Sequence, residues 1–127
     1  MITLICGYPR AGKTTYSQRF ENVIHLDMMH THEKVLARIR RERGDVVVEG
    51  VYYAPKHRKA LLEAYPGSGS KCICLDTPLH IREERMGRKE RHPHPFRIPT
   101  LDEGWDEIVI IRGGEEIVQS RSNEIET

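Results

Sequence analysis

Residues 7–14, Gly7-Tyr8-Pro9-Arg10-Ala11-Gly12-Lys13-Thr14, constrain this chain more than any others. They match G-x-x-x-x-G-K-[ST] in full, and the context is the one that pattern needs. The apolar run Ile2–Cys6 before it reads as a buried strand, and a helix is expected to begin near Lys13. Gly7 and Gly12 let the backbone turn tightly, so that successive N–H groups face a phosphate oxygen. The helix start adds its positive dipole end. The Lys13 ammonium suits the β- and γ-phosphates and the Thr14 hydroxyl suits Mg²⁺. Residues 7–14, with Thr15 beside them, are therefore the expected contacts for ATP. Outside such a context the same residues would be a glycine turn that happens to hold a lysine.

A motif of this kind needs a sheet around it, and the rest of the chain reads that way. Short apolar runs at Val23–Leu26, Val46–Val48, Cys72–Leu75 and Glu107–Ile111 alternate with helix-like stretches over 28–43 and 55–65. A further helix is expected from Pro78, capped by Thr77 or Asp76 and ended by Gly87. Tyr16 and Phe20, four apart, would pin the first helix to the sheet. Beyond Gly113-Gly114 the chain reads as polar and unstructured. Strands separated by helices predict one α/β domain over 1–127 with a mainly parallel sheet. In such sheets ligands bind beyond the carboxyl ends of the strands, where Gly7, Asp27, Glu49 and Asp76 would gather.

Composition excludes several classes. With 38% hydrophobic and 31% charged residues, the 127-residue chain is neither disordered nor membrane-spanning. Its three cysteines include no Cys-x-x-Cys pair, so a disulfide framework and a zinc site are not expected, and a reducing cytoplasm is. His30 with His32, and His92 with His94, lack a third ligand. The net charge of +1 hides an asymmetry: residues 1–100 carry +7 and residues 101–127 carry −6. A basic body suits a phosphate-bearing ligand, although two solvated faces of opposite sign would read the same.

Further candidates follow from what phosphate chemistry needs. Asp27 is the candidate base for an acceptor hydroxyl; its alternative is a helix cap. Glu49 closes a strand and would either hold water on Mg²⁺ or bond the phosphate-loop backbone. Arg82, Arg85 and Arg88 recur every three residues inside a basic segment over about 80–98. That segment reads as a lid whose arginines neutralise charge on a transferred phosphoryl, or as a solvated helix. Arg38-Ile39-Arg40-Arg41-Glu42-Arg43 and the cluster Lys56, His57, Arg58 and Lys59 read as surface faces, with contact to nucleic acid as the alternative. Tyr52 and Tyr53 are candidates to stack on a base. No Asn-Lys-x-Asp motif marks a guanine site.

Together these residues resemble the small P-loop kinases of the polynucleotide-kinase type, a group that includes phage polynucleotide kinases and is related to zeta-toxin-like and adenylate-kinase-like enzymes. The resemblance rests on the phosphate loop, on Leu26-Asp27, on Ile81–Arg91 and on Pro99-Thr100-Leu101-Asp102-Glu103-Gly104-Trp105-Asp106-Glu107-Ile108. It implies a three-layer P-loop fold with a five-stranded parallel sheet in the order 2-3-1-4-5. It implies Asp27 as base, Lys13 and Thr14 as phosphate and metal contacts, and Arg82, Arg85 or Arg88 as lid arginines. The acceptor side departs from the family. Glu49-Gly50-Val51 replaces its polar strand end, prolines replace the helix after the lid, and Leu26 and Met28 flank Asp27.

The expected activity is ATP-dependent phosphoryl transfer to the 5′-hydroxyl of a nucleic acid. A nucleoside, nucleotide or other small-molecule hydroxyl is the alternative acceptor. A non-catalytic protein whose ATP state controls a partner is the alternative class. Nothing in the sequence sets the oligomeric state.

Overall fold

Five of the apolar runs do become parallel strands, and each is continuous because helices cover both faces of the sheet. The computed structural model describes residues 1–89 and 95–121. The strands are β1 (Ile2–Cys6), β2 (Val23–His25), β3 (Val46–Gly50), β4 (Ser70–Leu75), β5 (Glu107–Arg112) and β6 (Glu115–Ser120). They form one sheet in the order β2-β3-β1-β4-β5-β6. The expected five-stranded parallel sheet is thus a six-stranded mixed one, because β6 pairs antiparallel with β5. Gly113 and Gly114, at φ +59° and +85°, supply the two left-handed residues of a tight hairpin. The chain after them is a strand, although an exposed and polar one whose composition hides it.

Alternation along each strand divides the core in two. Leu4, Cys6, Val48, Cys72 and Ile108 face one side, where they meet Val35 and Ile39 of α3 (His32–Arg40), Leu61 of α4 (Pro55–Ala64) and Trp105. Ile5, Val47, Ile73 and Val109 face the other, against Ala11, Tyr16 and Phe20 around α1 (Lys13–Ser17). The helix expected over 28–43 is broken. A short α2 (Leu26–Met29) ends at His30, whose φ is +70°, and Thr31 restarts the chain as N-cap of α3 by accepting from the Lys34 amide. α5 (Leu79–Met86) ends at Gly87 in the left-handed conformation, as its sequence requires. Neither Thr77 nor Asp76 caps it. Asp76 instead accepts from Arg112 Nε at 2.6 Å.

A buried ion pair joins the α4 side of the core to the approach to β5. Arg58 is fully buried, and Glu103 nearly so. Arg58 Nε and Nη2 each donate to a Glu103 oxygen at 2.8 Å, and Nη1 donates to the Tyr52 carbonyl at 2.6 Å. The Trp105 indole and the Thr100 amide also donate to Glu103. Burial alone would raise the Glu103 carboxyl, but the hydrogen bonds and charge of Arg58, aided by Trp105 and Thr100, hold it below its usual range. Arg58 is therefore no surface residue, contrary to the reading of residues 56–59. Arg58, Leu61 and Ala64 share one buried stripe of α4.

The three cysteines are free and buried on the same face, with Cys6 Sγ 3.8 Å from Cys72 Sγ. Burial pushes the Cys6 thiol well up. Among the described residues no helix is long and apolar enough to cross a membrane.

Replacing one member of a buried ion pair strands the other. Glu103→Gln is expected to cost about 3–5 kcal/mol at neutral pH. A depressed carboxyl stabilises above its unfolded pKa of about 4.3 and loses that contribution as the pH falls through its lower folded value. Urea midpoints should therefore drop in acid for the wild-type chain and less steeply for Glu103→Gln. An unchanged midpoint for the variant at neutral pH would show the pair to be dispensable.

Candidate active site

The chain leaves β1 through a gap that admits only a residue without a side chain. A Cβ on Gly7, at φ +154°, would lie 2.7 Å from the Leu75 carbonyl oxygen. Gly12, at φ +103°, is the N-cap of α1 in the left-handed conformation, and Arg10 takes φ +65° between them. The loop's carbonyls are held from three sides. Lys13 Nζ donates to the Tyr8 carbonyl at 2.7 Å, Arg85 Nη1 to that of Arg10 at 2.9 Å, and Thr77 Oγ1 to that of Ala11 at 2.8 Å. With these acceptors taken, the first N–H groups of α1 remain as donors, since a helix start leaves them without intrahelical partners.

A cleft of about 1230 Å³ opens over this loop. Residues 9–15 line it, with Asp27, Glu49 and Gly50 on one side and Ile81, Ile111 and Gly113 on the other. Lys13 is buried in it, and that burial lowers its pKa against the opposing pull of Glu49, Cys6 and Asp27. A buried ammonium short of hydration is one that an incoming anion would stabilise. Thr14 and Thr15 are exposed to the opening.

Asp27 sits in the first turn of α2, exposed and facing the cleft; the N-cap of α2 is His25. Glu49 is buried at the end of β3, and its Oε2 lies 2.8 Å from His25 Nδ1. His25 was not among the sequence candidates, although its register opposite Glu49 follows from pairing β2 with β3. The structure thus brings Lys13, Thr14, Asp27 and Glu49 to one cleft. An exposed hydroxyl and a carboxylate beside a phosphate loop are hard oxygen donors of the kind Mg²⁺ shares with phosphates. Among the described residues no group of three or more His, Cys, Asp or Glu gathers as a metal cage.

The three arginines separate. Arg85 lines the cleft and holds the loop. Arg82 is buried, its guanidinium 4.3 Å from the centre of the Tyr8 ring, and it also donates to the Thr77 carbonyl. Arg88 is exposed beyond the end of α5 and does not line the cleft. The part of the basic segment at 90–94, with Arg91, His92 and His94, lies outside the described residues. Past it, the Phe96 amide donates to the Tyr8 hydroxyl at 2.7 Å and the Arg97 amide to the Tyr53 carbonyl at 2.9 Å. Tyr8 therefore joins the loop to both flanks of that segment. Tyr52 is buried with its hydroxyl 3.3 Å from His32 Nδ1, so it cannot stack on a ligand.

No family model and no curated protein matches this chain. Among solved structures it is similar to an unliganded sugar kinase from Janibacter sp. HTCC2649, at 16% identity and a TM-score of 0.58, over 87% of this chain and 84% of that one. At this identity the likeness shows a shared α/β fold.

A methyl group at position 7 has nowhere to go, whereas one at Gly44 meets nothing within 4 Å. Gly7→Ala should cost roughly 1–3 kcal/mol and Gly44→Ala less than about 0.5 kcal/mol. Melting midpoints compare the two directly, and equal midpoints would contradict the packing described for the loop.

Proposed function

We propose that this chain is an ATP-dependent phosphotransferase whose acceptor is a hydroxyl group. The observation that carries the reading is the shared cleft. A complete phosphate-loop motif, with its carbonyls held aside, opens onto the same space as two strand-end carboxylates. ATP with Mg²⁺ would supply the phosphoryl group and a cation to offset its charge.

The chain's own residues divide the remaining work. Main-chain N–H groups of residues 12–15 and Lys13 would bind the phosphates, with Lys13 moving off the Tyr8 carbonyl to do so. Thr14 and Glu49 are the candidate metal-side oxygens, and His25 holds the Glu49 carboxylate in place. Asp27 would take the proton of the acceptor hydroxyl as it attacks. Arg85 is best placed to face developing charge. Arg82 supports the loop from below through Tyr8, and Arg88 could act only by moving.

For the acceptor, the sequence resemblance favours a polynucleotide 5′-hydroxyl, and the cysteine usage favours a reducing cytoplasm. The likeness to a sugar kinase favours a second reading, a small polyol or nucleoside acceptor. The two make different demands on salt. A nucleic acid should show a steep dependence of affinity on ionic strength, and a neutral acceptor should not.

The test is transfer of radiolabelled γ-phosphoryl to DNA, RNA, nucleosides and sugars. Loss of a general base costs about 10²–10⁴-fold. Asp27→Asn is therefore expected to lower transfer by that factor while leaving ATP affinity within about threefold. ATP binding without transfer to any acceptor would favour the non-catalytic regulator.

A further inference from the structure

We infer that a second cavity, at the opposite edge of the sheet, is a phosphodiester-binding subsite for the strand of a nucleic-acid acceptor. This rests on the proposed 5′-hydroxyl reading and gives the acceptor a preferred length. The cavity, about 710 Å³, lies between the turn after α3 and the loop after α4. Arg40, Arg41, Glu42 and Arg43 line it together with Tyr65, Pro66 and Gly67.

Three features distinguish it from an ordinary basic helix end. The first is an excess of positive charge, three arginines against one lining carboxylate. Arg40, Arg41 and Arg43 are exposed and form no ion pair among the described residues. The lining carboxylate has partners outside the cavity, since Glu42 accepts from Asn22 at 3.1 Å and faces Arg38 at 3.7 Å, and the neighbouring Asp45 lies 2.7 Å from the Met1 amine. Guanidinium forks pair readily with phosphate oxygens.

The second is a fixed aromatic wall. The Tyr65 hydroxyl donates to the Gly44 carbonyl at 2.9 Å, and Gly67 lies so close that a Cβ there would be 2.8 Å from the ring. A held aromatic beside cations is a common arrangement for single-stranded nucleic acid.

The third is placement. α3 starts five residues after Asp27 and ends at the cavity, so the helix runs from the neighbourhood of one site to the other. From Gly44 to Gly50, the last residue of β3, the chain advances six residues, which span roughly 20 Å when extended. A stacked strand advances about 3.4 Å per phosphate, so about six nucleotides bridge the two sites. An acidic polypeptide would meet the same charges, but only a polynucleotide also presents a 5′-hydroxyl to Asp27.

The experiment uses the whole chain and a fluorescent 12-nucleotide single-stranded DNA, titrated by anisotropy over a range of NaCl. In the variant Arg40→Gln/Arg41→Gln/Arg43→Gln, affinity should fall at least tenfold. The log–log salt slope should shrink by about 2, at about 0.7 per lost phosphate contact, and by about 0.7 in Arg41→Gln alone. Wild-type KM for oligonucleotide acceptors should fall with length up to about six and then level. In the triple variant it should be flat, with nucleoside phosphorylation and the melting midpoint unchanged.

Equal DNA affinity in wild type and variant overturns the subsite. So does displacement of the DNA by polyglutamate at matched charge, which would mark an acidic protein as the occupant. Transfer to small hydroxyls without arginine-dependent DNA binding also overturns it and leaves the phosphotransferase reading standing. Arginine-dependent DNA binding with no transfer to any acceptor overturns that reading, and the cavity then stands as a nucleic-acid site alone.

Discussion

A guanidinium removed from water must be paired on every side, and Arg58 meets that requirement with groups from two separate parts of the chain. Its partners are the Tyr52 carbonyl just past β3 and both oxygens of Glu103 on the approach to β5. The charge therefore fixes how the exit of β3, the start of α4 and the 100–105 segment meet. Tyr52 sits at φ +43°, an unfavourable conformation for a bulky residue, and its carbonyl is held there by Arg58 at 2.6 Å. From that bend depend the position of Val51, which accepts from the Gly7 amide, and hence one wall of the phosphate loop.

The loop is accordingly shaped by its surroundings as much as by its own glycines. Thr77, Arg85 and Lys13 reach its carbonyls from three directions, and Phe96 reaches the Tyr8 hydroxyl from a fourth. Preorganised donors need no rearrangement when an anion arrives, which is where electrostatic catalysis gains most. Lys13 is the exception, because under the proposed reading its present bond to the Tyr8 carbonyl would have to open first.

How much of this the sequence disclosed depended on range. The tight glycine turn at 7–12 and the parallel strands were legible because glycine spacing and continuous apolar runs are local signals. Asp27 and Glu49 were legible as strand-end carboxylates. Thr77 was not, since a threonine before a proline reads as a helix cap and only tertiary contact shows it holding Ala11. Arg58 looked like one of several surface cations until Glu103, 45 residues away, supplied its partner. β6 escaped because its residues are polar and exposed, and its only marker was the pair of glycines at the hairpin. The break at His30 has no strong sequence signal, as no glycine or proline marks the residue that turns to φ +70°.

The three thiols give the molecule a built-in record of its own opening. Cys6, Cys72 and Cys74 are the only cysteines in the chain, and each lies sealed beneath the helical layer on one face of the sheet. Reagents that attack thiolates find none accessible while the strands stay covered. Alkylation thus proceeds only through conformations in which the central strands β1 and β4 are uncovered, and its rate follows how often the heart of the sheet is laid bare.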